Sequence, residues 1–565
     1  MNAVIYYHPE AYTTSGPKLM GRNAAGESFL RGFLAHSQAS EFWVQVQNLA
    51  HARHFAEIAK ARGRHEGIKG VDKTNLAALA NVGVVYHPGP GIGAHAWQRG
   101  AAAPALPAAS GHAAWSLCGI THTTSSAVAM DALADLLTAP VQPWDAVICT
   151  SSAVRQNVDR LLQAQAEHLQ QRLGATRIVL PQLPVIPLGI HTQDFVFTTG
   201  IRAKARHVLA ADAKTHVVLF MGRLSFHAKA HPLAMYQALE MAAQRLPVGE
   251  QLVLVECGWH ANAQIVKAYA DAARLVCPSV RVVTLDGRLP DQREIAWAGA
   301  DLFCSLSDNI QETFGIVPIE AMAAGLPVVV ADWDGYKDTV RDGVDGFRIP
   351  VVMPAAGMGA DLALRHALEV DTYDMYCGHT CSLVAVDVVA TADAFTRLLA
   401  SPQLRRQMGD AGRQRARQVY DWKPIIGQYE SLWASLNQLR QSQGHSVKPL
   451  DHPWPARLDP FYAFASYPTH TLTPQTLLGL VDDDLSSALE RVGLYTALAM
   501  VNFAREVQPN PSEAQAVLQA LEMGPRAAGE LVMGLPGDRQ AHVFRSLAWL
   551  LKLGILKRSV QSLVP

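Results

Sequence analysis

Between Ser307 and Asp338 the chain reads SDNIQETFGIVPIEAMAAGLPVVVADWDGYKD, and few folds accommodate such a stretch. Pro318 suits the first position of a helix, where no N–H is required, Gly325 suits its end, and Pro327 bars continuation. The expected helix is short, about two turns, with Glu320 in its first turn and Glu312 in the loop before it. LPVVVAD then reads as a buried parallel strand, an apolar run between turn signals. Strand, loop, helix and strand make one βαβ crossover.

The unpaired N–H groups at such a helix start, entered through Gly315, favour an anion such as a diphosphate. Glu320 lies within reach of both hydroxyls of a ribose, and Glu312 reaches past the phosphates toward a sugar. Breaking the bond from sugar to diphosphate leaves about one extra negative charge on the leaving group, so fixed cations are needed where it develops. HVVLFMGRLSFHAKAHP supplies them: Arg223 follows the apparent strand Val217 to Met221, and Lys229 comes six residues later. A planar fork and a compact charge together can stand in for a metal ion.

These residues resemble the donor-binding signature of the retaining glycosyltransferases of the GT-B fold, family 4, in which two glutamates are separated by seven residues. Here they are Glu312 and Glu320, framed by Ser307-Asp308, Thr313-Phe314-Gly315, Ala321-Met322-Ala323, Gly325-Leu326-Pro327, Gly343 and Gly346-Phe347. The resemblance implies an α/β protein with two doubly wound, Rossmann-like domains facing a cleft. It implies that Arg223 and Lys229 hold the diphosphate, Glu320 the ribose, and Glu312 the donor sugar, with the amides around Thr313, Phe314, Gly315 and Ile316. His122, in CGITHTTSS, is implied at the reacting side of the sugar, and Arg288, in TLDGRLP, at the base through its backbone. Ala230 departs from the family, which usually has Gly after the lysine. LMGRNAAGESFLRGFL resembles the family's first glycine loop, Gly21 to Gly26, leading into an amphipathic helix. Gly21 and Arg22 are its donor-facing candidates, Asn23 and Lys18 weaker ones. The implied mechanism is front-face return with no cofactor and no metal.

VGVVYHPGPGIGAH places Gly89, Gly91 and Ala94 at dinucleotide-fingerprint spacing, but no acid stands about twenty residues on and Pro90 stiffens the turn, which argues against a nicotinamide dehydrogenase. Strands and helices alternate over residues 1–195 and again over 196–414, giving an acceptor-side domain and a nucleotide-sugar domain. Helices at 415–440 are expected to close back on the first domain, 441–455 to be a linker, and 456–565 to be a helical appendage that the resemblance does not cover. LLGLVDDDLSSALERVGLYTALAMVNFAREV has helical spacing, and the last helix and strand resemble those of a winged-helix module. Asp482, Asp483 and Asp484 among few bases favour dimerisation or protein docking over nucleic acid.

With 565 residues, 49% hydrophobic and 17% charged, the chain exceeds a single core. A formal charge of −1 argues against a polyanion as main partner. No apolar run approaches the ~18 residues of a membrane span, and the start lacks a secretion signal. Seven scattered cysteines suit reduced thiols. Cys377, His379 and Cys381 lack the paired spacing of a zinc site and read as a structural loop of an insertion at 351–385, with cover of part of the donor cleft by Tyr373 and Tyr376 left as an alternative. The expectation is a cytoplasmic glycosyltransferase moving a sugar from a UDP- or GDP-sugar to a hydroxyl acceptor in polysaccharide or glycoconjugate biosynthesis, with peripheral membrane contact left open. The rivals are an epimerase or phosphorylase using the same cleft, and a non-catalytic scaffold acting through its helical tail.

Overall fold

The computed structural model describes residues 2–13, 21–102, 111–447, 450 and 452–559. Lys18 lies outside them, as does the side chain of Arg22. Two compact units divide between Trp454 and Pro455.

The first unit holds two six-stranded parallel sheets. One contains β1 (Val4–Tyr6), β2 (Glu41–Gln45), β3 (Gly67–Val71), β4 (Val84–Tyr86), β5 (Ser116–Ile120) and β6 (Ala146–Ile148), in the order β3-β2-β1-β4-β5-β6. The other contains β7 (Thr215–Met221), β8 (Gln251–Gly258), β9 (Val280–Asp286), β10 (Leu302–Ser305), β11 (Val328–Ala331) and β12 (Gly346–Ile349), in the order β12-β11-β10-β7-β8-β9. Each order runs outward from a central pair, β1 and β4 or β7 and β10, and reverses there. This is the doubly wound arrangement that the sequence predicts, in which ligands sit beyond the carboxyl ends of the strands at the reversal. Strands such as β7, β8, β10 and β11 read as largely apolar runs because helices cover both faces of their sheet, and nearly all their side chains are buried.

At the carboxyl ends of β7, β8 and β9 three backbones press together without side chains between them. A Cβ on Gly258 would stand 1.9 Å from the Gly222 carbonyl oxygen, and one on Gly287 3.0 Å from the Gly258 Cα. Arg223 therefore leaves β7 from a tightly fixed base. The chain then returns to the first sheet through the helix Trp422–Gln443, which buries Trp422, Tyr429 and Trp433 against Phe29 and Phe33. Trp422 takes space that side chains at Gly32 and Gly189 would need, and its indole N–H donates to Ser28 Oγ at 2.8 Å.

A buried ion pair stabilises the first domain. Arg99 and Asp145 are both fully buried, joined by two bonds of 2.7 and 2.8 Å, and the remaining Asp145 capacity accepts the Leu117 and Gln142 N–H groups. Asp145→Asn leaves the guanidinium buried without its counter-charge. The expected cost is about 3 to 5 kcal/mol, read as a lowered urea midpoint, and a midpoint unchanged from the parent would contradict it.

Three local expectations are corrected. The helix after Gly315 runs Ile316–Ala324, so Pro318 is its third residue and Glu320 lies in the second turn. Gly315, in the left-handed region at φ +84°, turns the chain into the helix abruptly, and Pro318 at position three still lacks only an N–H that no helical carbonyl would accept. Gly21 to Gly26 is not a loop: the helix Gly21–His36 begins there, and Gly26 serves packing, since a Cβ would meet the Ala11 carbonyl oxygen at 2.0 Å. The insertion is helical, with Ala360–Ala367 and Tyr373–Cys381 on a two-stranded stem, Val351–Val352 against Ala385–Val386.

The second unit, Pro455–Pro565, has its own core of Leu478, Leu480, Val517, Leu518, Leu547 and Leu550, among others. Its helices include Leu485–Thr496, Pro511–Ala520 and Gly537–Lys552, the last leading into the strand Leu556–Arg558. Leu477–Leu480 is a strand, central to a three-stranded antiparallel sheet, and not the helix its spacing suggests. Asp484 decides this by accepting the Ser487 N–H at 2.7 Å, which starts the helix only after the acidic triplet. Among the described residues of both units no helix is long and apolar enough to cross a membrane.

Candidate functional site

The loops after β7 and β10 bring together three of the expected residues. Lys229 and Glu312 form an ion pair whose side chains are 22% and 11% exposed. Burial alone would raise the Glu312 carboxyl, but the Lys229 charge and hydrogen bond, together with the Thr313 and Phe314 amides, hold it below the usual carboxylate range. Arg223 donates to the Ala228 carbonyl at 2.6 Å and to Gln311 Oε1 at 3.4 Å, so it braces the loop that carries Lys229.

Asp308 and Asn309 fix that same loop from beneath, a role the motif did not reveal. Asp308 accepts the His231 N–H at 3.2 Å, and its carboxyl is pushed up to about 7 by burial. Asn309, fully buried, donates to the His227 carbonyl at 3.0 Å and accepts the Gln311 N–H at 3.0 Å, while its own carbonyl accepts the Trp333 indole at 3.1 Å. Their signal in the sequence is only two polar residues after a buried strand.

No side chain caps the start of the helix Ile316–Ala324, so its first amides are available to an anion, with Phe314 and Gly315 leading in. Thr313 takes part through its backbone, its carbonyl accepting from Thr150 Oγ1 at 3.5 Å. Glu320, in the second turn, is pushed up to about 7 by burial, with the nearby Arg293 charge pulling it back. Arg293 was not foreseen; it also donates to the Gly287 carbonyl at 2.8 Å, holding the turn after β9. Arg288 sits in that turn with its side chain committed to Asp286 at 2.7 Å, which leaves its backbone for contacts.

Asp334 is a second unforeseen acid. It adopts φ +45°, and its Oδ2 is buried with no hydrogen-bond partner. Burial first, and then the Glu312 charge, push its carboxyl up to about 8. Its Oδ1 accepts from Ser151 Oγ at 3.4 Å, and Asp338 accepts the Ser152 N–H at 2.6 Å, so two acids of the second domain meet the start of the helix Ser152–Leu173 in the first.

His122 stands just beyond β5, its Nε2 donating to the Pro88 carbonyl at 3.2 Å. It borders a small cavity lined by Tyr12, Phe29, Tyr86 and Tyr429 at the reversal between β1 and β4. Gly21 is exposed at the first position of its helix, and Asn23 donates to the Glu10 carbonyl at 2.6 Å. Cys377 and Cys381 are buried, while His379 pairs with Asp371 at 3.1 Å. Among the described residues no group of three or more histidine, cysteine or acidic side chains is placed to hold a metal ion.

Residues 201–356 match the family model described as Glycosyl transferases group 1. The chain is 27% identical over 253 residues to a D-inositol 3-phosphate glycosyltransferase of Corynebacterium diphtheriae, covering 44% of this chain and 50% of that protein. It is 28% identical over 252 residues to a phosphatidyl-myo-inositol mannosyltransferase of Mycobacterium tuberculosis, covering 44% and 53%. The chain thus spans about half the length of the curated relatives it matches. Among solved structures, HepE of Anabaena in complex with UDP overlays 77% of this chain and 100% of its own, at 16% identity and a TM-score of 0.49.

Proposed function

We propose that this chain, whose residues 201–356 match the family model described as Glycosyl transferases group 1, moves a sugar from a nucleotide-sugar to a hydroxyl acceptor with retention of configuration. The observation that carries the reading is the Lys229–Glu312 pair beside the uncapped start of the helix that bears Glu320. The names of the curated relatives support glycosyl transfer as the reaction class.

In this reading the diphosphate lies against Arg223, Lys229 and the amides that follow Gly315, while Glu320 accepts the ribose hydroxyls. As the glycosidic bond breaks, charge grows on the leaving phosphate where the two cations and the helix start already point, so little reorganisation is needed. Glu312, kept ionised by Lys229, accepts hydroxyls of the donor sugar and favours its cationic transition state. His122 approaches the sugar from the first domain, and the leaving phosphate takes the acceptor's proton on the face it departs from. The donor is a UDP- or GDP-sugar, and no metal or cofactor is required.

The test is to incubate the chain with UDP- and GDP-sugars, with and without sugar or polyol acceptors and without added metal. Diphosphate release that depends on acceptor, with the product anomer matching the donor, supports the reading. Turnover of donor alone to an epimer, or none with any pair, contradicts it.

A pH dependence follows from Glu320. Its raised folded value favours the neutral form in the empty site, so the stability it contributes is full below the unfolded carboxylate value and is lost as pH rises through about 7. Ribose hydroxyls prefer the ionised form as acceptor. Diphosphate binding is therefore expected to tighten about tenfold between about pH 6 and about pH 8, as the ionised fraction rises. Calorimetry on the parent and on Glu320→Gln checks this: the variant should lose the slope, and a slope that survives would assign it to another group.

A further inference from the structure

We infer that the helical insertion at residues 354–384 is a clasp joining the cation-bearing loop of the second domain to the His122 loop of the first, with the Tyr373 hydroxyl as its positioning group. The inference rests on the reading of Arg223 and Lys229 as diphosphate ligands.

The insertion is firmly mounted. Its stem is an antiparallel pair, Val351 opposite Val386 and Val352 opposite Ala385. Asp371 ties its two helices through Arg365, at 2.8 and 2.9 Å, and through His379, while Thr372 caps the second helix by accepting the Met375 N–H at 3.3 Å. Tyr373, the next residue, therefore leaves from a rigid helix start.

One side of that helix lies on the loop between Arg223 and Lys229. A Cβ on Gly378 would stand 3.2 Å from the His227 Cβ, and the Cys381 thiol faces the Phe226 and His227 carbonyls at 3.9 Å. Asn309 holds the His227 carbonyl and Arg223 the adjacent Ala228 carbonyl. Any anion that pulls on Arg223 or Lys229 thus acts on the surface against which the insertion packs.

The start of the same helix reaches the other domain. Tyr373 Oη lies 3.1 Å from Thr123 Oγ1 and 3.3 Å from Ser125 Oγ, which are themselves 2.9 Å apart. These three hydroxyls form a closed triangle directly after His122. The Ser125 N–H also donates to Thr123 Oγ1 at 3.3 Å, so the triangle shapes the backbone of the His122 loop. A contiguous set of contacts then runs from the diphosphate cations to the group placed at the reacting sugar, and only a coupling measurement distinguishes a working link from adjacency.

Amide hydrogen exchange of the full chain, with saturating UDP and separately GDP, supplies that measurement. In the parent, the diphosphate that binds should slow exchange both at residues 224–231 and at residues 121–126. In Tyr373→Phe, protection at 224–231 should persist while protection at 121–126 falls by about five- to tenfold, the equivalent of about one hydrogen bond. Thr123→Val with Ser125→Ala, which removes the partners from the opposite side, should do the same. Parent-like protection of 121–126 in both variants overturns the clasp. Protection of neither loop in the parent, with either diphosphate, overturns the reading of the site itself, and the clasp with it.

Discussion

Lys229→Ala is expected to lower kcat by about 10²- to 10³-fold, because in the proposed reaction it removes a fixed positive charge from the place where the leaving diphosphate gathers its negative charge. The same change acts on Glu312. At present the lysine's charge and hydrogen bond outweigh burial and keep the carboxyl depressed, so the pair contributes stability that is present above the unfolded carboxylate value and is lost as pH falls through the folded one. Without Lys229 only the Thr313 and Phe314 amides oppose burial, so the carboxyl rises and the stability the pair contributes at higher pH is reduced. Steady-state kinetics and thermal melting at several pH values read both effects. Turnover within about threefold of the parent would remove Lys229 from the reaction, since that corresponds to less than 1 kcal/mol of transition-state stabilisation. Lys229→Arg keeps the charge and should lie between the two.

Gly315→Ala is expected to damage the second domain strongly, through backbone conformation and packing together. The residue adopts φ +84°, and an added Cβ would stand 2.0 Å from Tyr336 Cε1. Tyr336 cannot retreat: it is 1% exposed, and its hydroxyl bonds to Ser305 Oγ at 2.9 Å inside the sheet. Left-handed strain of about 1 to 2 kcal/mol and overpacking of about 1 to 3 kcal/mol then add. At about 2 to 4 °C for each kcal/mol in a domain of this size, melting should fall by about 4 °C or more. Gly427→Ala is the matched control, an exposed position in the helix Trp422–Gln443 with nothing within 4 Å of the added Cβ, and it should melt at or above the parent. Equal melting of the two variants would mean that the helix start is not entered as described. Loss of diphosphate binding should accompany the lower melting in Gly315→Ala, because the first amides of the helix move with it.

What could be read in advance is what lies close in sequence. Glu312, Gly315, Glu320 and the strand after them fall within one crossover, and Arg223 with Lys229 within another, so each set is legible locally, while the resemblance implies their shared role. The paired apolar runs likewise indicated two parallel sheets, since a strand covered on both faces needs no polar side. Tyr373 reaches Thr123 across 250 positions, a contact that no local pattern encodes. Asp334 and Arg293 are not legible in the sequence because a lone acid in a turn and a lone base on a helix are usually solvated; the buried Asp334 Oδ2 and the Arg293 charge beside Glu320 mark them only in the fold. Leu477–Leu480 misled because a short apolar run suits a strand or a helix equally, until the cap at Asp484 sets the boundary. Gly26 was misread for the opposite reason: a glycine spaced for a loop serves instead to let a helix pass the Ala11 carbonyl.

In the proposed site one nucleoside diphosphate sits between Arg223, Lys229 and the start of the helix Ile316–Ala324, with Glu320 on its ribose. Isothermal titration of the full chain with UDP, GDP, ADP and TDP, without added metal, tests it most directly. One of them should bind, and Glu320→Ala and Arg223→Ala should each abolish the binding. Binding by none of the four, or unchanged affinity in both variants, would contradict it.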